Sequence, residues 1–139
     1  MGQESPAAAL RPMTFDTDIL IWYLRGNERA RAFVAGVPFD RRTVPAMAYF
    51  ELLQGCTGPP DVRTVRKFIA QNFSQLLHIS EQVSHRAMSL LERYAVSHGL
   101  EAADAIIAAT ALVNRERLAT GNVTHYKSLR GLDLAPFRP

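Results

Sequence analysis

Hydrophobic and polar positions alternate along the chain in blocks, and their spacing switches repeatedly between the patterns of strands and helices. Short apolar runs typical of buried strands lie at residues 13–16, 42–44, 75–79 and 117–120, and residues 133–136 could add an edge strand. Segments with helical spacing of their apolar positions separate these runs. This alternation predicts an α/β fold with a short, mainly parallel central sheet.

The predicted helices are recognised by their apolar stripes and by the residue types at their ends. They cover residues 17–24, 28–37, 45–54, 62–73, 81–98 and 102–114. Thr17 or Asp18 is expected to cap the first helix, and residues 58–60 are expected to form a turn before the fourth. The segment 102–114 is apolar on nearly every side, which predicts a central helix buried against its neighbours.

The length of 139 residues indicates one domain with enough surface to bury a real core. Residues 1–12 are small and polar and contain proline, so a disordered lead-in or an extension before an original start at Met13 is expected. The folded domain is then predicted over residues 13–139. No apolar run approaches the roughly 20 residues that a membrane-spanning helix needs, so no membrane association is expected.

Composition narrows the chemistry only slightly. Cys56 is the single cysteine, which excludes an intramolecular disulfide and a cysteine-cluster zinc site and favours a reducing, cytoplasmic location. The formal net charge of +3, from 16 basic and 13 acidic residues, permits a nucleic-acid partner without requiring one. The glycines form neither a G-x-G-x-x-G pattern nor a P-loop, which gives no support for a nucleotide-binding loop.

Four acidic residues interrupt apolar segments, where an unpaired carboxylate is costly. Asp16 ends the first predicted strand, Asp18 follows it, Glu51 lies within an apolar helix, and Asp104 opens the alanine-rich helix. Carboxylates are rarely buried unless they are paired or bind a metal. Several of them on separate apolar elements therefore indicate one acidic pocket that holds a divalent cation.

Each acid also has a purely structural interpretation. Asp16 could cap a helix, although Asp18 is the better capping candidate. Glu51 could be a solvated residue on a helix surface, and Asp104 could be a favourable carboxylate in the first turn of its helix. The pattern of apolar neighbours does not decide between these interpretations and a shared pocket.

The segment that follows the strand at 117–120 adds polar candidates at the same edge of the sheet. Thr120 offers a hydroxyl, and Asn122 can bind a carboxylate or a metal-bound water, although Gly121-Asn122 is also ordinary turn chemistry. His125 could shuttle a proton or contact a phosphate. A lone histidine beside an aromatic residue is nevertheless more often structural.

The order of these segments resembles the PIN-domain ribonucleases, specifically the VapC-like toxins of type II toxin–antitoxin pairs. The stretches that carry the likeness are FDTDILI (15–21), AYFELLQG (48–55), ADAIIAATAL (103–112) and LATGNVTHY (118–126). The likeness extends from Met13 to about Pro136. It implies a three-layer α/β/α sandwich and an endoribonuclease that hydrolyses RNA phosphodiester bonds.

The resemblance also implies roles for individual residues. Asp16, Glu51 and Asp104 match the family's metal-site acids, and their oxygen ligands suit Mg²⁺ or Mn²⁺. The resemblance implies a catalytic role for Asn122, because the turn that contains it matches the turn that carries the fourth residue of the family's site. The chain departs from the fullest family pattern there, since Asn122 and His125 stand where a fourth acid is common.

Partners follow from the same resemblance: RNA as substrate, a cognate VapB-like antitoxin that inserts a peptide into or beside the acidic pocket, and a homodimer. Two alternatives to a ribonuclease stay open at this point. A non-cleaving PIN-like module could bind RNA or protein, and an unrelated metal-dependent phosphatase could use Asp16 and Asp18 as a nucleophile pair.

Overall fold

The computed structural model describes residues 11–139, which form one α/β sandwich. Its strands are β1 (Met13–Phe15), β2 (Arg42–Pro45), β3 (Gln75–Leu77), β4 (Arg117–Thr120) and β5 (Leu134–Pro136). Its helices are α1 (Thr17–Leu24), α2 (Glu28–Ala35), α3 (Ala46–Gln54), α4 (Pro59–Asn72), α5 (Glu81–His98), α6 (Ala102–Asn114) and α7 (Val123–Tyr126), with a 3₁₀ turn at Phe39–Arg41.

The five strands form one sheet in the order β3-β2-β1-β4-β5, and every neighbouring pair is parallel. Strand β1 lies at the centre, with Thr14 opposite Thr43 of β2 and Phe15 opposite Ala119 of β4. From β1 the chain adds β2 and β3 on one side of the sheet, and it then returns to add β4 and β5 on the other side of β1. In open parallel sheets such a switch point opens a crevice beyond the carboxyl ends of the strands.

Two hydrophobic cores cover the two faces of the sheet. One packs α1 to α4 around Phe15, with Ile19, Leu20, Val34 and Phe68 among its members. The other packs α5 to α7 against the opposite face and includes Val83, Leu90, Ile107, Leu118 and Tyr126. A fully buried aliphatic side chain stabilises a fold by about 1.5–3 kcal/mol. The predicted three-layer sandwich is therefore confirmed, and α6 is the buried helix that its composition predicts.

Several element boundaries differ from the sequence-based expectation. The cap of α1 is Asp16, not Thr17 or Asp18. Pro59 and Pro60 begin α4 instead of forming a separate turn, because proline suits the first helical turn, where its missing N–H is not needed. The short helix α7 was not predicted, since four residues are too few to show a helical repeat.

Most of the predicted lead-in, residues 1–10, lies outside the described residues. The two described residues of that lead-in contact the domain: Arg11 pairs with Asp133 at 2.9 Å, and the carbonyl of Pro12 accepts a hydrogen bond from Arg117. Within residues 11–139, no helix combines the length and apolar character needed to cross a membrane.

Candidate functional site

The predicted acids gather at the carboxyl edge of the two central strands. Asp16 directly follows β1, and its backbone N–H donates to the carbonyl of Ala119 on β4 at 2.9 Å. Thr120 ends β4 and is buried beside it. The site thus lies at the switch point of the sheet, where the strand ends on both sides are open to a ligand.

Asp16 serves as a helix cap and as a buried carboxylate in the pocket. Its Oδ1 accepts from the backbone N–H of Thr17 at 2.8 Å, and its Oδ2 accepts from the hydroxyl of Thr120 at 2.7 Å. The side chain is nearly inaccessible, with 3% of the residue surface exposed. Burial, followed by the charges of Asp18 and Asp104, raises the pKa of Asp16 to about 7. The capping interpretation of Asp16 is therefore confirmed, and the same carboxylate is also buried against Thr120 at the strand ends.

Asp104 reaches the same pocket from the first turn of α6. Its Oδ1 accepts a hydrogen bond from the hydroxyl of Tyr126 at 3.2 Å, and its Oδ2 lies 3.4 Å from Nδ1 of His125. An acid in the first turn of a helix is also favoured by the helix dipole. Tyr126 is buried at the site, and burial raises the pKa of its hydroxyl, so the hydroxyl stays a hydrogen-bond donor.

Sequence reasoning did not identify Tyr126 as a site residue. The signal available was weak: an aromatic residue next to His125 in a segment too short to reveal a helical face. Thr17 is a second site residue that the sequence did not reveal, since it was expected only to cap α1 or to lie beside Asp16. Its hydroxyl donates to Oε1 of Glu51 at 2.7 Å and thereby brings α3 into the site.

Tyr126→Phe removes only the hydroxyl and tests the predicted ribonuclease site: with Asp104 as the predicted metal ligand, we expect RNA cleavage to fall by about 10–100-fold, the usual effect of losing a group that orients a ligand. The aromatic ring and its packing would remain, so the melting temperature should change little. Steady-state cleavage together with thermal unfolding checks this. Cleavage at the wild-type rate would show that the hydroxyl does not position Asp104.

Asp18 joins helix α1 to the turn after β4. Its Oδ1 accepts from the N–H of Ile19, and its Oδ2 accepts from the N–H of Gly121 at 2.8 Å. Burial raises the pKa of this carboxyl, whereas the hydrogen bonds from Gly121 and Ile19 lower it. Both carboxylate oxygens are thus engaged with backbone donors, which makes Asp18 a positioning residue at the rim of the pocket.

Gly121→Ala tests this link. A Cβ at position 121 would lie 2.5 Å from Oδ2 of Asp18 and 3.3 Å from the carbonyl oxygen of Phe137, so either the turn or the Asp18 carboxylate must shift, which strains the hydrogen bond between them. We expect a loss of about 1–3 kcal/mol of stability together with reduced cleavage. Urea unfolding measures the first effect. Unchanged stability would mean that Asp18 moves aside at no cost.

Asn122 and His125 lie on the open side of the pocket. The backbone N–H of Asn122 donates to the hydroxyl of Thr120 at 2.9 Å, while its side chain is exposed and forms no hydrogen bond within residues 11–139. His125 is also exposed, and its imidazole contacts the carboxylate of Asp104. The structure therefore brings Asp16, Glu51 and Asp104 into one region, and the backbone of Asn122 is hydrogen-bonded to this region through Thr120.

The donor set fits a hard divalent cation. Asp16, Glu51 and Asp104 accept hydrogen bonds from the hydroxyls of Thr120, Thr17 and Tyr126, and the charge of Asp104 is close enough to Asp16 to raise the pKa of Asp16. Among residues 11–139, no three or more acidic, histidine or cysteine side chains are arranged so that they could hold a metal ion by themselves. Mg²⁺ seldom needs such a cage, because it keeps several waters and takes one or two carboxylates and substrate phosphates.

Comparison with known proteins agrees with this arrangement. The family model of the PIN domain matches residues 13–127. "Ribonuclease VapC10" of Mycobacterium tuberculosis is 31% identical over 112 residues, which are 80% of this chain and 83% of that protein. Among solved structures, a toxin–antitoxin complex from Klebsiella pneumoniae has a TM-score of 0.76 at 25% identity, and the match covers 91% of this chain and 99% of that one.

The DNA-bound VapBC from Salmonella typhimurium is similar in fold, with a TM-score of 0.78 at 17% identity over 91% of this chain and 98% of that one. The family-model match spans most of the chain, including β1, β4 and all four acids. The chain therefore belongs to the PIN-domain family and is a VapC-like member of it.

Proposed function

We propose that this protein is a Mg²⁺- or Mn²⁺-dependent endoribonuclease and the toxin of a VapBC-type toxin–antitoxin pair. The observation that supports this most strongly is the placement of two carboxylates from separate elements, Asp16 after β1 and Asp104 on α6, each oriented by a hydroxyl donor. A buried acid whose pKa is raised to about 7 is costly to ionise, and a divalent cation offsets that cost.

Asp16 and Asp104 would hold the ion, and Glu51 would act as a further ligand or through a water. When bound, a divalent ion supplies a Lewis acid that activates a water and neutralises charge on a phosphate oxygen. The residues around it have orienting roles. Thr17 and Thr120 keep the Asp16 carboxylate in place, and the Thr17 hydroxyl holds Glu51 beside it.

The open side of the pocket would face the scissile phosphate. Asn122 presents an unengaged amide there, which can orient a water or donate to a phosphate oxygen. The exposed imidazole of His125 lies beside Asp104, where it can contact a phosphate or transfer a proton to the leaving oxygen.

The decisive experiment incubates purified protein with total bacterial RNA and Mn²⁺, and maps new 5′ ends by sequencing. Asp104→Asn and a sample with EDTA run alongside. We expect discrete cuts from the wild-type protein alone, and their loss on chelation. An intact RNA pool from a folded, metal-loaded protein would instead favour a non-cleaving module that binds RNA or protein.

An antitoxin partner belongs to the same proposal. An apolar groove of about 370 Å³ adjoins Glu51 and is lined by Ile21, Leu24, Leu52 and Val65. Such a groove suits the apolar face of a peptide, and an acidic edge suits its arginine. The Klebsiella and Salmonella proteins were solved as toxin–antitoxin and VapBC assemblies, which supports this partner. A VapB-like protein is expected to suppress cleavage when added in equimolar amount.

Homodimerisation and a cytoplasmic location complete the proposal. Light scattering of the purified protein tests the first, with a mass near twice the 15.5 kDa of the chain expected. A mass equal to that of one chain across the measurable concentration range would remove the dimer from the proposal.

A further inference from the structure

Helix α5 carries a row of basic side chains that the proposed chemistry does not use. They line two adjoining cavities of about 510 and 390 Å³ that share Arg86 and Ser89. The basic residues of these walls are His85, Arg86, Arg93, Arg115 and Arg130. No aspartate or glutamate lines either cavity. We call this surface the basic groove.

The arginines at its centre keep their charge available. Within residues 11–139, Arg86, Arg93 and Arg130 form no ion pair, whereas Arg11 and Arg117 both contact Asp133. All three of the groove arginines are exposed. A solvated row of guanidinium groups without carboxylate partners is the electrostatic footprint of a polyanion site.

Tyr94 contacts one of these cations and anchors the backbone beside another. Its buried hydroxyl accepts the backbone N–H of Arg130 at 3.3 Å, and the guanidinium of Arg93 lies 5.5 Å from the centre of its ring. One buried aromatic residue thereby joins α5 to the segment that follows α7. The basic groove therefore contains one arginine that lies over a buried ring and a second whose backbone is anchored to the same residue.

The basic groove leads to the acidic pocket. From Arg86 the helix rises about 18 Å to His98, at 1.5 Å per residue. The His98 ring packs against that of Tyr94 with a centroid distance of 5.4 Å. His98 then lines a third, smaller cavity together with Asp104 and His125. A chain lying along α5 would consequently reach the carboxylates at its end.

We propose that the basic groove holds the single-stranded RNA that flanks the scissile bond, through its phosphates. This proposal rests on the ribonuclease function proposed above, and it names the path of the substrate on the protein. Guanidinium contacts to phosphate position a strand without reading its sequence. Selection of the cleavage site is then expected to come from the pocket and not from this groove.

The test compares two double variants that alter net charge equally. Arg93→Glu with Arg130→Glu changes the basic groove, and Arg63→Glu with Arg66→Glu changes the exposed face of α4. Both are made with Asp104→Asn so that RNA survives, and fluorescence anisotropy follows an RNA of about 15 nucleotides, a usual single-strand site size.

We expect the basic-groove variant to weaken RNA binding at least tenfold, against less than threefold for the α4 variant. The slope of log K against log salt should fall by about 1.4, because each phosphate contact to a single strand contributes about 0.7. Equal weakening by both double variants would overturn the proposal. Should the charge reversal impair folding, Arg93→Gln with Arg130→Gln is expected to give a smaller loss of the same kind.

Cleavage of total RNA by the chain with Asp104 intact separates this proposal from the ribonuclease proposal. If the protein cuts RNA but the groove variant binds RNA as well as the wild type does, the groove proposal is rejected and the ribonuclease proposal is kept. Groove-dependent RNA binding without any cutting would reject the enzyme proposal and support the groove. Binding of an acidic peptide in preference to RNA would reject the groove as a substrate path.

Discussion

Asp16→Asn is expected to abolish RNA cleavage, with a loss of about a thousandfold, while the fold is retained. The loss corresponds to removing several kcal/mol of charge stabilisation from the transition state, the usual contribution of a catalytic metal ion. The amide can still accept the Thr17 N–H, so the start of α1 stays capped. Single-turnover cleavage of a mapped RNA, with circular dichroism of the variant, measures both effects.

Glu116→Gln is the matched control. Glu116 is also buried, and it likewise accepts a hydrogen bond from a threonine hydroxyl, that of Thr43. Burial raises the pKa of its carboxyl as well. It precedes β4 and therefore lies at the opposite edge of the sheet from Asp16. Normal cleavage is expected from Glu116→Gln, and comparable losses in both variants would assign the effect of Asp16→Asn to folding.

The second large effect concerns the pH dependence of stability in the metal-free protein. The pKa of Asp16 is about 7 in the folded state and 3.8 in its ordinary state, so the folded protein binds a proton more tightly than the unfolded chain. This preference stabilises the fold fully below pH 4 and is lost as the pH rises to about 7. The amount is on the order of 4 kcal/mol, a large share of the 5–15 kcal/mol typical of a domain.

Urea unfolding of the wild type and of Asp16→Asn between pH 4 and 8, in EDTA, measures this effect. The difference between the two isolates Asp16 from other titrating groups, including Asp18 and Glu116, whose pKa values are also raised by burial. The variant is expected to become the more stable protein above pH 7. Parallel curves across the whole range would mean that Asp16 is ionised at little cost.

Added Mn²⁺ provides an independent check of the same physics. The ion binds ionised carboxylates, so its binding and the proton on Asp16 compete. We expect Mn²⁺ to raise the melting temperature of the wild type above pH 7 and to have little effect on Asp16→Asn. Equal stabilisation of both proteins would place the ion elsewhere.

Much of the fold could be predicted because its signals are local. Helix α2 begins at Glu28, α3 ends at Gln54 and α5 covers Glu81–His98, where the sequence predicted these boundaries, and they follow or precede the caps Asn27, Gly55 and Ser80. Each of these signals acts through hydrogen bonds within one turn of its helix. The parallel sheet was equally accessible, because strands and helices alternate along the chain.

The site was less predictable, since contacts between distant residues form it. Asp16 and Thr120 are separated by 104 positions. The order of residues along the chain does not indicate that the hydroxyl of Thr120 donates to the carboxylate of Asp16. Asp16 caps α1 because it keeps extended backbone angles directly after β1, a strand that is paired with β4 up to Phe15. Periodicity carries no information on such pairings.

The sequence by itself determined the alternation of strands and helices, the buried character of α6 and the three acids expected to share a site. Only the tertiary structure decided their partners. It made Asp18 a link to Gly121, gave Asp104 the hydroxyl of Tyr126, and aligned the arginines of α5 and of residue 130 along one groove. The reason is physical: propensity and amphipathicity act over neighbouring residues, whereas charge interactions and hydrogen bonds depend on distances that the packed fold establishes.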